Sequence, residues 1–215
     1  ELASEGFERD RIAVIPFGVD PPVPRDPDEI DRVVARVGVQ SPYVLTVGTV
    51  EPRKDVMTIV RAVERLRRSR PDLTLVVAGP RGWGEVNGLD RSFVRVIGAQ
   101  PWSVIDALYR RAHVFCLASL YEGFGLPVVE AMARGVPTVA TTGSALEEFV
   151  EGAGALFAPG DVEACAELIG RILDDETLRV ELRRAGPVRA AELNWPRSAE
   201  GHSHAYTRAL ARPAS

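Results

Sequence analysis

Short apolar runs recur along this chain, most of them followed by a stretch with helical spacing, and that alternation restricts the fold more than any other feature. The runs are Ile12–Ile15, Tyr43–Val47, Leu73–Ala78, Phe93–Ile97, Val114–Leu117, Pro137–Ala140 and Ala153–Phe157. Each reads as a buried strand. Between them, Asp55 to Arg68 places Val56, Ile59, Val60, Val63 and Leu66 on one helical face. Asp26 opens another helix as its N-cap, with Pro27 in the first turn and Ile30, Val33, Val34 and Val37 inward. Further helices follow Gln100, with Val104, Ile105 and Leu108, and the Thr141–Ser144 turn. Others run from Asp161 to Leu173, from Thr177 to Arg184, and from Asn194 to about Leu210. Strand and helix alternate six times with short connections, which predicts an α/β fold: a Rossmann-like doubly wound parallel sheet with helices on both faces. Ligands of such sheets bind at the C-terminal ends of the strands.

One of those strand ends carries the densest chemistry. Tyr121 to Arg134 reads Y-E-G-F-G-L-P-V-V-E-A-M-A-R. Gly123 and Gly125 allow backbone N–H groups to approach a ligand with no Cβ in the way. Pro127 suits the first turn of a helix, whose apolar positions Leu126, Val129, Met132 and Ala133 share one face. Strand, glycine loop and helix N-terminus make an anion-binding mouth. Glu122 lies in the loop and Glu130 about one turn into the helix, and carboxylates repel anions. A ligand that carries hydroxyls as well as phosphate resolves the conflict, because a carboxylate accepts hydrogen bonds from a sugar diol.

The two glutamates, with Gly-Phe-Gly-Leu-Pro after the first and Ala-Met-Ala-x-Gly after the second, closely resemble the retaining glycosyltransferases of GT-B architecture, group 1. That family includes phosphatidylinositol mannosyltransferases and sucrose and bacterial glycogen synthases. The resemblance spans almost the whole chain. It implies the C-terminal half of such an enzyme, which binds a UDP- or GDP-linked sugar, while an N-terminal domain binds the acceptor. It implies that Glu122 faces the transferred sugar and Glu130 the ribose, with Gly123, Phe124, Gly125 and Leu126 at the donor. The loop Gly48-Thr49-Val50-Glu51-Pro52-Arg53-Lys54 resembles the family's second signature, where a basic pair neutralises the diphosphate. Lys54 matches the usual lysine and Thr49 stands where many members have arginine, so Arg53 is placed to supply the missing charge. Glu122, Arg53 and Lys54 are thus the expected catalytic groups, and Gly48, Thr49 and Gly98 are expected at the donor, the last where backbone reads the base. No metal and no cofactor is expected, since cations and the helix dipole take a metal's place. Phe17-Gly18-Val19-Asp20 resembles the family's hinge, with Phe17 in place of an asparagine. Residues 1–11 then read as a linker or hinge remnant, 12–193 as the nucleotide-sugar-binding domain, and 194–215 as a crossover helix and tail.

Composition narrows the alternatives. A net charge of −4 argues against a nucleic-acid partner. No apolar run approaches a membrane span and no signal peptide opens the chain, so a cytoplasmic setting is expected, peripheral to a membrane in a longer protein. Cys116 and Cys165 have no metal or redox spacing and read as buried thiols in a reducing compartment. Of 26 basic residues only Lys54 is a lysine. Two other functions share this architecture: a nucleotide-sugar 2-epimerase, and a nucleotide-sugar-binding module without chemistry. Asp26-Pro27-Asp28 imitates a metal motif but is better explained as a helix cap.

Overall fold

The computed structural model describes residues 2–211. Six parallel strands form the sheet: β1 (Tyr43–Val47), β2 (Thr74–Ala78), β3 (Val94–Gly98), β4 (Val114–Leu117), β5 (Thr138–Thr141) and β6 (Ala155–Phe157). Their spatial order is β3-β2-β1-β4-β5-β6, with Leu45 opposite Val76 on one side and Phe115 on the other. The order reverses direction between β1 and β4, and the crevice at such a reversal is where open α/β sheets take ligands. Eight helices connect and flank the strands: α1 (Pro27–Arg36), α2 (Val56–Leu66), α3 (Trp102–Arg111), α4 (Leu126–Ala133), α5 (Ala145–Val150), α6 (Val162–Asp174), α7 (Glu176–Ala191) and α8 (Trp195–Leu210).

Strand side chains alternate between two cores. Tyr43, Leu45, Phe115 and Leu117 face Ile30, Leu108, Val129 and Met132 of α1, α3 and α4. Val44, Leu75, Val77 and Cys116 face Ile59, Val63 and Ile169 of α2 and α6. The two cysteines, 49 positions apart in sequence, meet in this second core with sulfurs 3.8 Å apart. Helix starts follow the expected chemistry. The Asp26 carboxylate accepts from the Asp28 N–H, so it is spent on capping, and Asp161 and Asn194 cap α6 and α8 in the same way.

Three expectations need correction. Ile12–Ile15 joins no strand; it has no regular secondary structure, with Val14 exposed and Ile15 lying against Gly201 of α8. The helix after Thr177 continues through Gly186 and Pro187 to Ala191. Gly186 permits this by letting the α4 backbone approach, the Met132 carbonyl lying 3.1 Å from where a Cβ would stand. In α4 the apolar face is wider than one stripe: Val128, Val129, Ala131, Met132 and Ala133 are all buried, and Leu126 is exposed at the mouth instead. Separately, α8 leaves Tyr206 and Leu210 exposed and buries or half-buries Ser198, Gly201, His202 and Ala205. The tail beyond residue 211, and Glu1 of the expected linker, lie outside the described residues. No helix among the described residues is long and apolar enough to cross a membrane.

The loops after β1 and β2 touch backbone to backbone. Gly79 has φ +149°, and a Cβ there would stand 1.9 Å from the Gly48 carbonyl oxygen. Gly79→Ala should therefore destabilise by more than about 2 kcal/mol in urea unfolding, against about 1 kcal/mol for Gly152→Ala, where φ is positive but space is open. Equal midpoints for the two variants would contradict the close approach.

Candidate functional site

The carboxyl ends of β1 and β4 lie side by side at the sheet's reversal point, and the loops that leave them are stitched together. After β1 the chain passes Gly48, turns through a 3-10 turn at Pro52–Lys54, and enters α2 from Asp55 in a left-handed conformation, φ +40°. After β4 it passes Ser119 and Glu122, crosses Gly123 and Gly125, and starts α4. The Leu120 N–H donates to the Arg53 carbonyl at 2.8 Å, and the Arg53 guanidinium donates to the Tyr121 carbonyl at 2.8 Å. Gly125, at φ +90°, has no room for a Cβ because Leu146 of α5 fills the space. Gly123 is the opposite case: a Cβ there would meet nothing within 4 Å. Its lack of a side chain keeps the mouth open.

Glu122 is the hub. Its carboxylate pairs with the Lys54 ammonium, accepts from the Ser119 hydroxyl at 2.7 Å, and lies 3.3 Å from the Arg53 guanidinium. Arg53 also pairs with Glu51 at 2.7 Å, and Glu51 is itself buried. Burial alone would raise the Glu122 pKa. Hydrogen bonds from Lys54 and Ser119 and the charges of Lys54 and Arg53 outweigh it and hold the carboxyl below its ordinary value. The cluster therefore holds two cations and an ionised carboxylate beside the N-terminus of a helix, a set that can bind an anion and hydrogen-bond hydroxyls.

Glu130 is in a different state. It lies one turn after the exposed Leu126, on the side of α4 that is not fully buried. Its carboxylate accepts from the buried Tyr109 hydroxyl at 3.0 Å. Burial raises its pKa first of all; Tyr109 and Arg134 pull it back, the Asp20 charge raises it further, and the net shift is upward. That coupling brings the Phe17–Asp20 segment to the site. Phe17 itself packs edge-on against Phe124 at 5.3 Å, and Phe124 against Phe149 at 4.6 Å, so the residue replacing an asparagine serves the glycine loop as an apolar wall.

The other expected residues divide. Gly48 directly follows β1 and Gly98 ends β3, both with positive φ, 149° and 67°. Thr49 turns its methyl toward Gly82, where a Cβ would stand 2.5 Å from it. Ser119, Glu51 and Tyr109 went unrecognised in the sequence. Glu51 stands two places before Arg53, a visible carboxylate beside a basic pair. Ser119 and Tyr109 give no such signal, since a serine after a strand and a tyrosine on an apolar face are ordinary.

Known proteins decide the family. A model described as "Glycosyl transferases group 1" matches residues 28–189. The chain belongs to that family. Among relatives of this group 1 glycosyltransferase chain is the O-antigen chain mannosyltransferase B of Escherichia coli, 33% identical over 80% of the chain and 48% of the relative. Another is an MMP alpha-(1->4)-mannosyltransferase of Mycolicibacterium hassiacum, 33% identical over 96% of the chain and 50% of the relative. In structure, the group 1 chain is similar to Alr3699/HepE of Anabaena, solved in complex with UDP-glucose, with TM-score 0.72 at 22% identity over 84% of this chain and 54% of that one. The chain thus spans about half the length of the curated relatives it matches.

The two glutamates of the group 1 chain should respond to pH with opposite signs. The folded-state pKa of Glu122 is depressed, so its contribution to stability is present above the unfolded pKa and lost as pH falls through the folded one. That of Glu130 is raised, so its charge opposes folding near neutral pH and the opposition disappears as pH falls. In urea unfolding across pH, Glu122→Gln should flatten the acid-side loss of stability. Glu130→Gln should be more stable than wild type near neutral pH and lose that advantage in acid. A Glu130→Gln variant less stable at neutral pH would show that Tyr109 and Arg134 favour the charged form after all.

Proposed function

We propose that this chain binds a nucleoside-diphosphate sugar as the donor half of a retaining glycosyltransferase, which transfers a hexosyl group to an acceptor hydroxyl. The observation that carries the reading is the Lys54–Glu122–Arg53 cluster, set at the reversal point of the sheet beside the α4 N-terminus. In the chain as described, both cations are occupied by Glu122. A diphosphate entering the mouth exchanges places with that carboxylate, taking Lys54 and Arg53 and leaving Glu122 to accept from sugar hydroxyls. Thr49 takes no part in the clamp and lines the loop. Glu130, aimed by Tyr109, accepts from the ribose, and Gly98 leaves its backbone open to the base. The mannosyltransferase relatives favour a mannosyl donor, and the UDP-glucose complex of the Anabaena protein favours a nucleotide-linked sugar in this fold.

The chemistry asked of these residues is electrostatic. As the bond from C1 to the phosphate oxygen lengthens, positive charge spreads over the sugar ring and negative charge gathers on the leaving diphosphate. Lys54, Arg53 and the N-terminus of α4 are fixed where that negative charge grows, and preorganised charge of this kind is the largest contribution such a site makes. They do so without a metal. The acceptor belongs to the remaining half of the length seen in the relatives, so this chain alone binds donor without turning it over.

Calorimetry with UDP and GDP, with and without EDTA, tests the reading. Weak binding unaffected by EDTA is expected, with no sugar transferred; a strict divalent-metal requirement would sink the metal-free clamp. Lys54→Met and Arg53→Met should weaken nucleoside diphosphate far more than nucleoside, by about 1.5–3 kcal/mol each, as for a lost charge-assisted hydrogen bond. Glu130→Ala should weaken free nucleotide, whereas Glu122→Ala should spare it and erase discrimination between donor sugars. Identical behaviour of the two glutamate variants would refute the division of roles.

A further inference from the structure

At the opposite edge of the sheet from Glu122, the N-terminal ends of β1, β4 and β5 border a cleft of about 630 Å³. Its walls bring together Ser41 before β1, Arg110 and Arg111 at the end of α3, His113 before β4, and Arg183 of α7. No carboxylate lines it. The nearby acids are already engaged, one of them several times over. Asp106 alone receives the guanidiniums of Arg25, Arg110 and Arg134, at 3.4, 2.8 and 2.6 Å, and Asp31 receives Arg111 at 2.5 Å. The Arg183 side chain is exposed and has no hydrogen bond or ion pair among the described residues. His113 presents a buried Nδ1 with no partner among them. Burial and then the charges of Arg183 and Arg179 hold its imidazole pKa down, so the ring sits neutral in a field of excess positive charge.

An unpaired guanidinium, a second that shares one carboxylate with two other arginines, a third matched one to one, an imidazole ring and a hydroxyl border a cleft that has no carboxylate of its own. Phosphate oxygens are the complement to that set, because they accept several such bonds at once and carry the missing negative charge. We propose that this cleft is a binding site for a phosphate group, separate from the nucleotide mouth, held by Arg183, Arg110 and Arg111 with Ser41 as a further donor and the His113 ring in its wall. The group can come from a free phosphate ester or from an anionic lipid headgroup, since both present the same oxygens. The proposal does not depend on the nucleotide reading.

Inorganic pyrophosphate is the probe, followed by NMR through the His113 ring, whose signal is assigned with His113→Gln. This readout reports the cleft alone, so any pyrophosphate bound at Lys54 does not confuse it, and Lys54→Met should leave the titration unchanged. The His113 signal should move saturably, and Arg183→Glu should weaken binding about tenfold or more, as removal of a charged hydrogen-bond partner does. Arg183→Gln, which keeps a donor and loses the charge, should lie between. Because Arg183 is exposed and unpartnered, both variants should fold, which far-UV circular dichroism checks. Co-sedimentation with vesicles of phosphatidylglycerol mixed into phosphatidylcholine, against phosphatidylcholine alone, separates the two sources. Binding that needs phosphatidylglycerol and is lost in Arg183→Glu identifies a headgroup; a pyrophosphate response without vesicle binding identifies a free phosphate compound. A stationary His113 signal, one moved equally by sodium chloride at the same ionic strength, or an Arg183→Glu titration like wild type would each overturn the proposal.

Discussion

The candidate site depends on one buried carboxylate. Glu122 ties the loop after β4 to the loop after β1 through Lys54 and Arg53, and Ser119 fixes it from below. Ion pairs taken out of water return little net stability, because desolvation of both partners offsets their attraction. What the arrangement achieves is position. Two long, flexible cations are held at the sheet's reversal point, within reach of a helix N-terminus, before any ligand arrives. Glu51 does the same for Arg53 from the other side. The cluster is a charge-balanced resting state, and a ligand must match its charges to displace it.

Position has a backbone component as well. The glycines near the mouth serve different ends. Gly79 lets two loops touch, Gly125 yields its space to Leu146, and Gly123 leaves space unfilled. Together they explain how a loop can be both tightly placed and open. The aromatic series Phe17, Phe124 and Phe149 adds a wall that links the segment before α1, the glycine loop and α5.

Much of this was legible in the sequence, for reasons that differ by element. Buried parallel strands announce themselves as apolar runs, and Asp26, Asp161 and Asn194 mark helix starts because a capping side chain is a local interaction. The glycine loop and both glutamates were legible as a motif. The errors lie where a partner distant in sequence decides. Ile12–Ile15 has strand composition, but it lies against α8 and pairs with neither edge of the sheet. Gly186-Pro187 looks like a helix end, but α7 continues because it packs on α4. Leu126 is apolar yet exposed, since the remainder of α4 is buried without it. Ser119, Tyr109 and the meeting of Cys116 with Cys165 are three-dimensional facts with no local trace. The basic cleft likewise gathers residues from three places in the chain, around Ser41, Arg110 to His113 and Arg183, that no spacing connects.

The arginine-heavy composition has a consequence beyond electrostatics. Guanidinium groups stay protonated and do not react with mild acylating reagents, whereas a lysine amine does once it loses its proton. Lys54 is the sole lysine in the sequence, and its side chain is 11% exposed, in contact with Glu122. Apart from a terminal amine, the molecule therefore offers amine chemistry one address, and that address is the centre of the candidate site. A reagent that acylates amines becomes a reporter of this single position, and the rate at which it reacts measures how firmly the ammonium is held.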